Sequence, residues 1–141
     1  MRRRNAAILA LLLLLASCKR ELRPEAIDPS DMCDFCRMAI SDSRFAGEIL
    51  LSGGEARKFD DIGCLLQYAR AAKNREQVAV FYVNDYEKRS WLRVEEATFV
   101  RSRTLTTPMN SGIIAFRNPV AAGEAAKAYK GEVIQWPELW K

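Results

Sequence analysis

The stretch Met32-Cys33-Asp34-Phe35-Cys36-Arg37-Met38 brings two thiols and a thioether together on what should be a tight turn. Sulfur at this density selects Cu(I), zinc or iron–sulfur over harder ions, and a thioether at the closing position moves the choice from zinc toward Cu(I). The same residues serve other chemistries. A C-x-x-C pair can be a redox dithiol, half of a zinc site or a short disulfide, and Met38 alone can fill a core.

Two further sulfurs bear on the choice. Thr106-Thr107-Pro108-Met109-Asn110-Ser111-Gly112 interrupts two strands with proline, asparagine and glycine, so Met109 is expected on a loop. A soft site still short of ligands makes it a candidate thioether. Cys64 lies at the edge of a helical apolar arc and reads first as a small buried hydrophobe. Cys33, Cys36 and Cys64 allow three disulfide pairings, each leaving one thiol over, and a bound metal ion is one explanation of an odd thiol. Histidine is absent from the chain, which removes the commonest metal ligand and the commonest general base.

The chain of 141 residues is long enough for one domain with a real core. Three of its 22 Lys and Arg, namely Arg2, Arg3 and Arg4, precede Cys18, and no acid does, so 19 positive charges face 18 negative ones beyond that point. No basic stripe survives removal of the leader, and nucleic acid is not an expected partner.

That leader is the triple arginine, ten apolar residues from Ala6 to Leu15, and Ala16-Ser17. Residues 1–17 read as a secretory signal peptide, too short to remain as a spanning helix. Leu15-Ala16-Ser17-Cys18 resembles a bacterial lipobox, which implies lipid on the Cys18 sulfur and stable attachment to a membrane. The expected place is the cell envelope, facing the periplasm. Lys19 stands where Asp usually signals inner-membrane retention, so the address points to the outer membrane. Residues 18–30, with Pro24 and Pro29, read as lipidated cysteine and tether, and residues 31–141 as the folded domain.

The domain must carry both sulfur stretches on regular elements. Ala46–Leu51 and Glu55–Phe59 predict strands around a Ser52-Gly53-Gly54 turn. Asp60 or Asp61 offers a cap to a helix whose apolar residues Ile62, Leu65, Leu66, Ala69 and Ala72 run to about Lys73, and Gln77–Val83 predicts a strand. That is a ββαβ unit. The second half repeats the order more loosely. It has strands at Ser90–Val94, Thr98–Arg103 and Gly112–Phe116, a possible helical turn at Val94–Ala97, a helix over Val120–Tyr129 entered through Asn118-Pro119, and a last strand at Glu132–Gln135. Aligning Phe59 with Phe116 aligns Asp61 with Asn118, a hint of duplication within an α+β fold.

With both sulfur stretches in hand, the chain resembles the NosL family of copper-binding lipoproteins that support assembly of the multicopper site of nitrous oxide reductase. The resemblance runs from the lipobox through Cys33–Met38, Phe59-Asp60-Asp61-Ile62-Gly63-Cys64 and Thr107–Phe116. It implies one small α+β domain of two related ββαβ halves, similar to those of the organomercurial lyase fold. It also implies one Cu(I), with Cys36 and Cys33 as thiolate ligands and Met38 and Met109 as thioethers. Nitrous oxide reductase and its maturation machinery would be the copper acceptor, within denitrification.

The family usually has glycine before the methionine of the first loop and after that of the second, where this chain has Arg37 and Asn110. Asparagine tolerates a positive φ, whereas arginine does so poorly, so the first loop is expected to bend differently. Some members associate a histidine with the copper, which this chain cannot supply. Arg37 beside Cys36 is expected to favour the thiolate. The expectation is a metallochaperone and not an enzyme. Its competitors are a thiol-disulfide oxidoreductase using Cys33 and Cys36, and a metal-free structural lipoprotein with a Cys33–Cys36 or Cys36–Cys64 disulfide.

Overall fold

The computed structural model describes residues 22–72 and 77–140. The expected signal peptide, residues 1–17, and Cys18 lie outside the described residues. In the first half, β1 (Gly47–Leu51) and β2 (Ala56–Phe59) form a hairpin, α1 (Ile62–Ala72) follows, and β3 (Val78–Asn84) returns beside β1. In the second, β5 (Thr98–Arg101) and β6 (Ile113–Phe116) pair, α2 (Pro119–Ala128) follows, and β7 (Glu132–Ile134) returns beside β5. Sheet orders β2-β1-β3 and β6-β5-β7 are the same arrangement, so the structure holds two ββαβ units in one α+β domain. The ladders between these strands are antiparallel.

One element changes sides. The strand expected over Ser90–Val94 is β4 (Trp91–Arg93), and it extends the first sheet by pairing with Tyr82–Asn84 of β3. Its position after the tight Asp85–Ser90 turn explains this, since a short connection returns a strand to its predecessor. The halves are then stitched by Asp85. Its carboxylate accepts the Arg117 N–H at 2.7 Å, and the next N–H, of Tyr86, donates to the Ala115 carbonyl at 2.8 Å.

The helices start alike, as the alignment of Asp61 with Asn118 suggests. Asp61 Oδ1 accepts the Gly63 N–H at 2.7 Å, and Asn118 Oδ1 accepts the Val120 N–H at 2.9 Å. Each satisfies a donor that a first helical turn leaves unpaired. At the other end of α2, Lys130 takes the left-handed conformation with φ 50° and the Gly131 N–H donates to the Ala126 carbonyl at 2.8 Å, so the turn at Lys130 ends the helix.

The main core lies between α1, the inner face of the first sheet and one face of the second, with Ile49, Phe59, Leu65, Leu92, Phe99 and Ala115 among its members. Val100, Ile114 and Phe116 point the other way and pack against the alanine face of α2. Sequence periodicity does not reveal the 3-10 turn Trp136–Trp140, too short to show a repeat. It stacks both its tryptophans against Phe81 and closes the core.

Residues 22–30 contain no helix or strand, and they are packed onto the outer face of the first sheet. Tyr82 donates its hydroxyl to the Leu22 carbonyl at 2.7 Å, Trp91 its indole N–H to the Glu25 carbonyl at 2.9 Å, and Lys58 its ammonium to the Ala26 carbonyl at 2.9 Å. This strap covers Glu48, a charged residue of β1 with no exposed surface. The Glu25 N–H donates to both Glu48 oxygens, at 3.1 and 3.0 Å. Burial still pushes the carboxyl from 4.5 to about 7.

Because the folded state holds this proton more tightly than the unfolded chain, the stability it supplies is full below pH 4.5 and is lost as pH rises through about 7. The loss is up to about 3 kcal/mol. Urea unfolding at pH 5 and pH 8 should find the wild type losing more stability between the two than Glu48→Gln.

Candidate metal centre

The first sulfur loop is a closed turn pinned to β2. Its base is a short antiparallel ribbon in which Met32 pairs with Ala39, the Ile40 N–H donates to the Asp31 carbonyl at 3.0 Å and the Cys33 N–H to the Met38 carbonyl at 2.8 Å. Asp34 holds the turn in place. Its N–H donates to the Lys58 carbonyl and its Oδ2 accepts the Lys58 N–H, each at 2.8 Å.

Beyond Lys58 the chain delivers Phe59 to the core, Asp60 to the thiols, Asp61 to the helix cap and Cys64 to the first turn of α1. Ligand atoms of Cys33, Cys36, Asp60 and Cys64 all lie within 4.8 Å of one another. Cys33 and Cys64 are fully buried, Asp60 nearly so, and Cys36 is the half-exposed member that opens the group outward. All three cysteines are free thiols.

Electrostatics keep the buried thiols protonated when no cation is bound. Burial raises Cys33 to about 11, against the opposing effect of N–H groups from Cys36, Asp60 and Phe35. Cys64 is raised too, first by burial and then by the charges of Cys33, Asp60 and Cys36. Cys36 donates its thiol to Asp60, at 3.5 and 3.6 Å from the two oxygens. A soft cation entering here would displace thiol protons and meet sulfur and carboxylate charge together.

The second sulfur loop is tied to the same helix start. Asp61, fully buried, spends Oδ1 on the helix cap and Oδ2 on the other loop, accepting the Thr107 hydroxyl at 2.6 Å and the Met109 N–H at 2.9 Å. Contact there is close. A Cβ on Gly63 would stand 2.5 Å from the Ser111 Cβ, so only glycine lets the loop seat on the helix. Asn110 and Gly112 turn the loop with φ of 56° and 66°.

The two expected thiolates, Cys33 and Cys36, are therefore brought together, while Met38 is tied to Cys33 through its carbonyl and Met109 to Asp61 through its N–H. Neither thioether is buried with the thiols: Met38 is 60% exposed and Met109 44%. Sequence reasoning gave Cys64 first to the core. It is buried, but within the thiol cluster. Asp60 was considered only as an alternative cap; since one of two adjacent acids suffices to cap a helix, the other was free to face the cysteines.

Two expectations about Arg37 change. The residue adopts the left-handed conformation, φ 66°, so the loop keeps a bend that suits glycine instead of bending away from it. Its guanidinium stands 3.8 Å from Asp34 and is mostly in solvent, while the partner of the Cys36 sulfur is Asp60. Arg37 is thus not the group that acts on that thiol.

Replacing Asp61 by alanine removes a cap and the acceptor of two further donors, and should cost about 2–4 kcal/mol. Arg37→Gly should stabilise by about 1 kcal/mol, the left-handed strain relieved less the added freedom of the unfolded chain. Urea denaturation of the reduced protein at pH 7 measures both. A destabilised Arg37→Gly would contradict the strain.

Comparison with known proteins agrees with this architecture. The crystal structure of the copper chaperone NosL from Shewanella denitrificans superposes with a TM-score of 0.74 at 21% identity, covering 82% of this chain and 94% of that one. At that identity the likeness speaks for the fold. No curated protein matches the chain. The NosL family model matches residues 24–141, which include both sulfur loops, both sheets and the helix start between them, and the chain belongs to the NosL family.

Proposed function

We propose that the protein is a Cu(I)-binding lipoprotein metallochaperone, anchored through lipid on Cys18 and facing the periplasm, from the outer membrane. It delivers copper for assembly of the multicopper site of nitrous oxide reductase. The observation that carries the copper reading is the convergence of Cys33, Cys36, Cys64 and Asp60 within 4.8 Å; the loop that carries two of these cysteines also has exposed Met38, and a second loop with exposed Met109 is tied to the neighbouring Asp61. Family membership and the fold shared with a copper chaperone support it.

Thiolate and thioether are the ligands that favour monovalent copper, and the chain has no histidine to draw the site toward harder or divalent ions. Exposed Met38 and Met109 meet an incoming ion first, and half-buried Cys36 takes it inward, with Cys33 as the second thiolate. An acceptor's sulfur can attach at the exposed side before Cys36 lets go, so copper passes without entering free solution. Of the seven large apolar side chains exposed among the described residues, Met32, Phe35, Met38 and Met109 belong to the two sulfur loops, which concentrates the adhesive surface where transfer would occur.

The carrier binds and releases without catalytic turnover. An oxidoreductase would need a thiol whose pKa is depressed, at a helix start, whereas Cys33 is raised to about 11 and its C-x-x-C forms a turn. Delivery to nitrous oxide reductase follows from the family resemblance in the two sulfur loops.

Titration of the reduced protein with Cu(I) against bathocuproine disulfonate should find one ion per chain. Met109→Ala should weaken binding about tenfold, equivalent to about 1.4 kcal/mol. Because the Cys33 proton must leave, affinity should rise with pH between 6 and 8, and Cys33→Ser should lower the slope by about one decade per pH unit. Failure to compete for copper, or an unchanged Met109→Ala, would overturn the carrier reading.

A further inference from the structure

A cavity of about 440 Å³, which shares no lining residue with the sulfur loops, lies between the amino-terminal strap and the end of the β3–β4 hairpin. Pro24 and Ile27 of the strap form one wall, and Ser43, Asn84, Arg89 and Trp91 the other. Asn84 is 2% exposed, and its Nδ2 has no hydrogen-bond partner, the one buried side-chain nitrogen or oxygen so left among the described residues. Leaving such a donor unpaired costs about 1–3 kcal/mol, so the site calls for an acceptor from outside the chain.

The remaining polar groups say what kind of acceptor. No carboxylate lines the cavity. Ser43 offers a hydroxyl and Arg89 a guanidinium that forms no ion pair among the described residues. Asp42 is close enough to feel the Arg89 charge, but its carboxylate is taken by Arg44, with an N–O distance of 2.6 Å. The Arg89 backbone is held at a φ of 53°, because its N–H donates to the Asp85 carbonyl at 2.8 Å and Asp85 Oδ1 accepts the N–H groups of Glu87 and Lys88, which keeps its exposed side chain at the cavity. An amide donor, a hydroxyl and a guanidinium suit an oxyanion, and a volume much larger than one phosphate, with proline, isoleucine and indole walls, suits a phosphate carrying an organic group.

We propose that this cavity binds the phosphate of a phospholipid headgroup in the membrane that holds the chain. The source is argued from the strap. Cys18 lies six residues before Pro24, a span of at most about 20 Å, so the cavity mouth is held within reach of the bilayer phosphates. Headgroup binding lays the outer face of the first sheet toward the membrane and leaves the sulfur loops to the acceptor. The assignment rests on the lipidation of Cys18 for its source, and on Asn84 and Arg89 for its chemistry.

The test uses the mature full-length chain, with side-chain NMR signals of Asn84 Nδ2 and Arg89 Nε as the readout. Probes are nanodiscs of phosphatidylglycerol, nanodiscs of a phosphate-free galactolipid, and inorganic phosphate. Phosphatidylglycerol discs should shift both signals and galactolipid discs neither. Arg89→Asn, which keeps a residue tolerant of positive φ and removes the charge, should weaken the response at least tenfold. Shifts with inorganic phosphate but not with phosphatidylglycerol discs would make this a site for free phosphate and overturn the proposal, as would no shift with any probe. The mass of the Cys18 adduct in the same sample separates the two readings: a response to phosphatidylglycerol discs from a chain without lipid sustains the cavity and removes the anchor.

Discussion

A single buried carboxylate fixes the geometry on which the sulfur site depends. Asp61 has two oxygens and three donors to satisfy: the Gly63 N–H at the start of α1, the Thr107 hydroxyl and the Met109 N–H. The first bond is local, and the other two join segments more than forty residues apart in sequence. Without this arrangement the second loop would lose its hold on the helix start, and Met109 would have no fixed relation to the thiols. The residues on either side share the work: Asp60 turns to Cys36, and Gly63 leaves room for Ser111. Four consecutive residues, Asp60 to Gly63, therefore set a cap, a carboxylate and a loop seat.

The repeated ββαβ order shows where such a device sits. Both halves end a strand in phenylalanine, cap the following helix from the second residue after it, and return a strand to the same side of the hairpin. In the second half the cap is Asn118, whose side chain spends its oxygen on Val120. The aspartate in the first half has an additional oxygen acceptor and negative charge available, and it uses them across the domain. One half thus retains a plain helix start where the other holds a site.

Much of this was legible in the sequence because it is local. Strand alternation, the Ser52-Gly53-Gly54 turn, Asn118-Pro119 and the helical spacing from Ile62 to Ala72 each depend on neighbours within a few residues, and the elements fall close to where those signals lie. Cys33, Cys36 and the loop placement of Met109 were also readable. What escaped depends on long-range packing. Nothing local tells which sheet takes Trp91–Arg93, that Glu48 will be covered, or that Cys64 faces thiols and not only aliphatic side chains. Arg37 was misjudged for a related reason: local preference disfavours its φ, but the ribbon from Asp31 to Ile40 and the pairing of Asp34 with Lys58 determine the turn more strongly than the preference opposes it.

The strap has a mechanical consequence. Force applied at the amino-terminal end meets the Leu22, Glu25 and Ala26 contacts before it reaches Cys33, and these are spread over all four strands of the first sheet through Tyr82, Trp91, Glu48 and Lys58. A tug from that end is shared sideways across the sheet, and the turn that carries the sulfurs keeps its shape while the rest of the molecule swings.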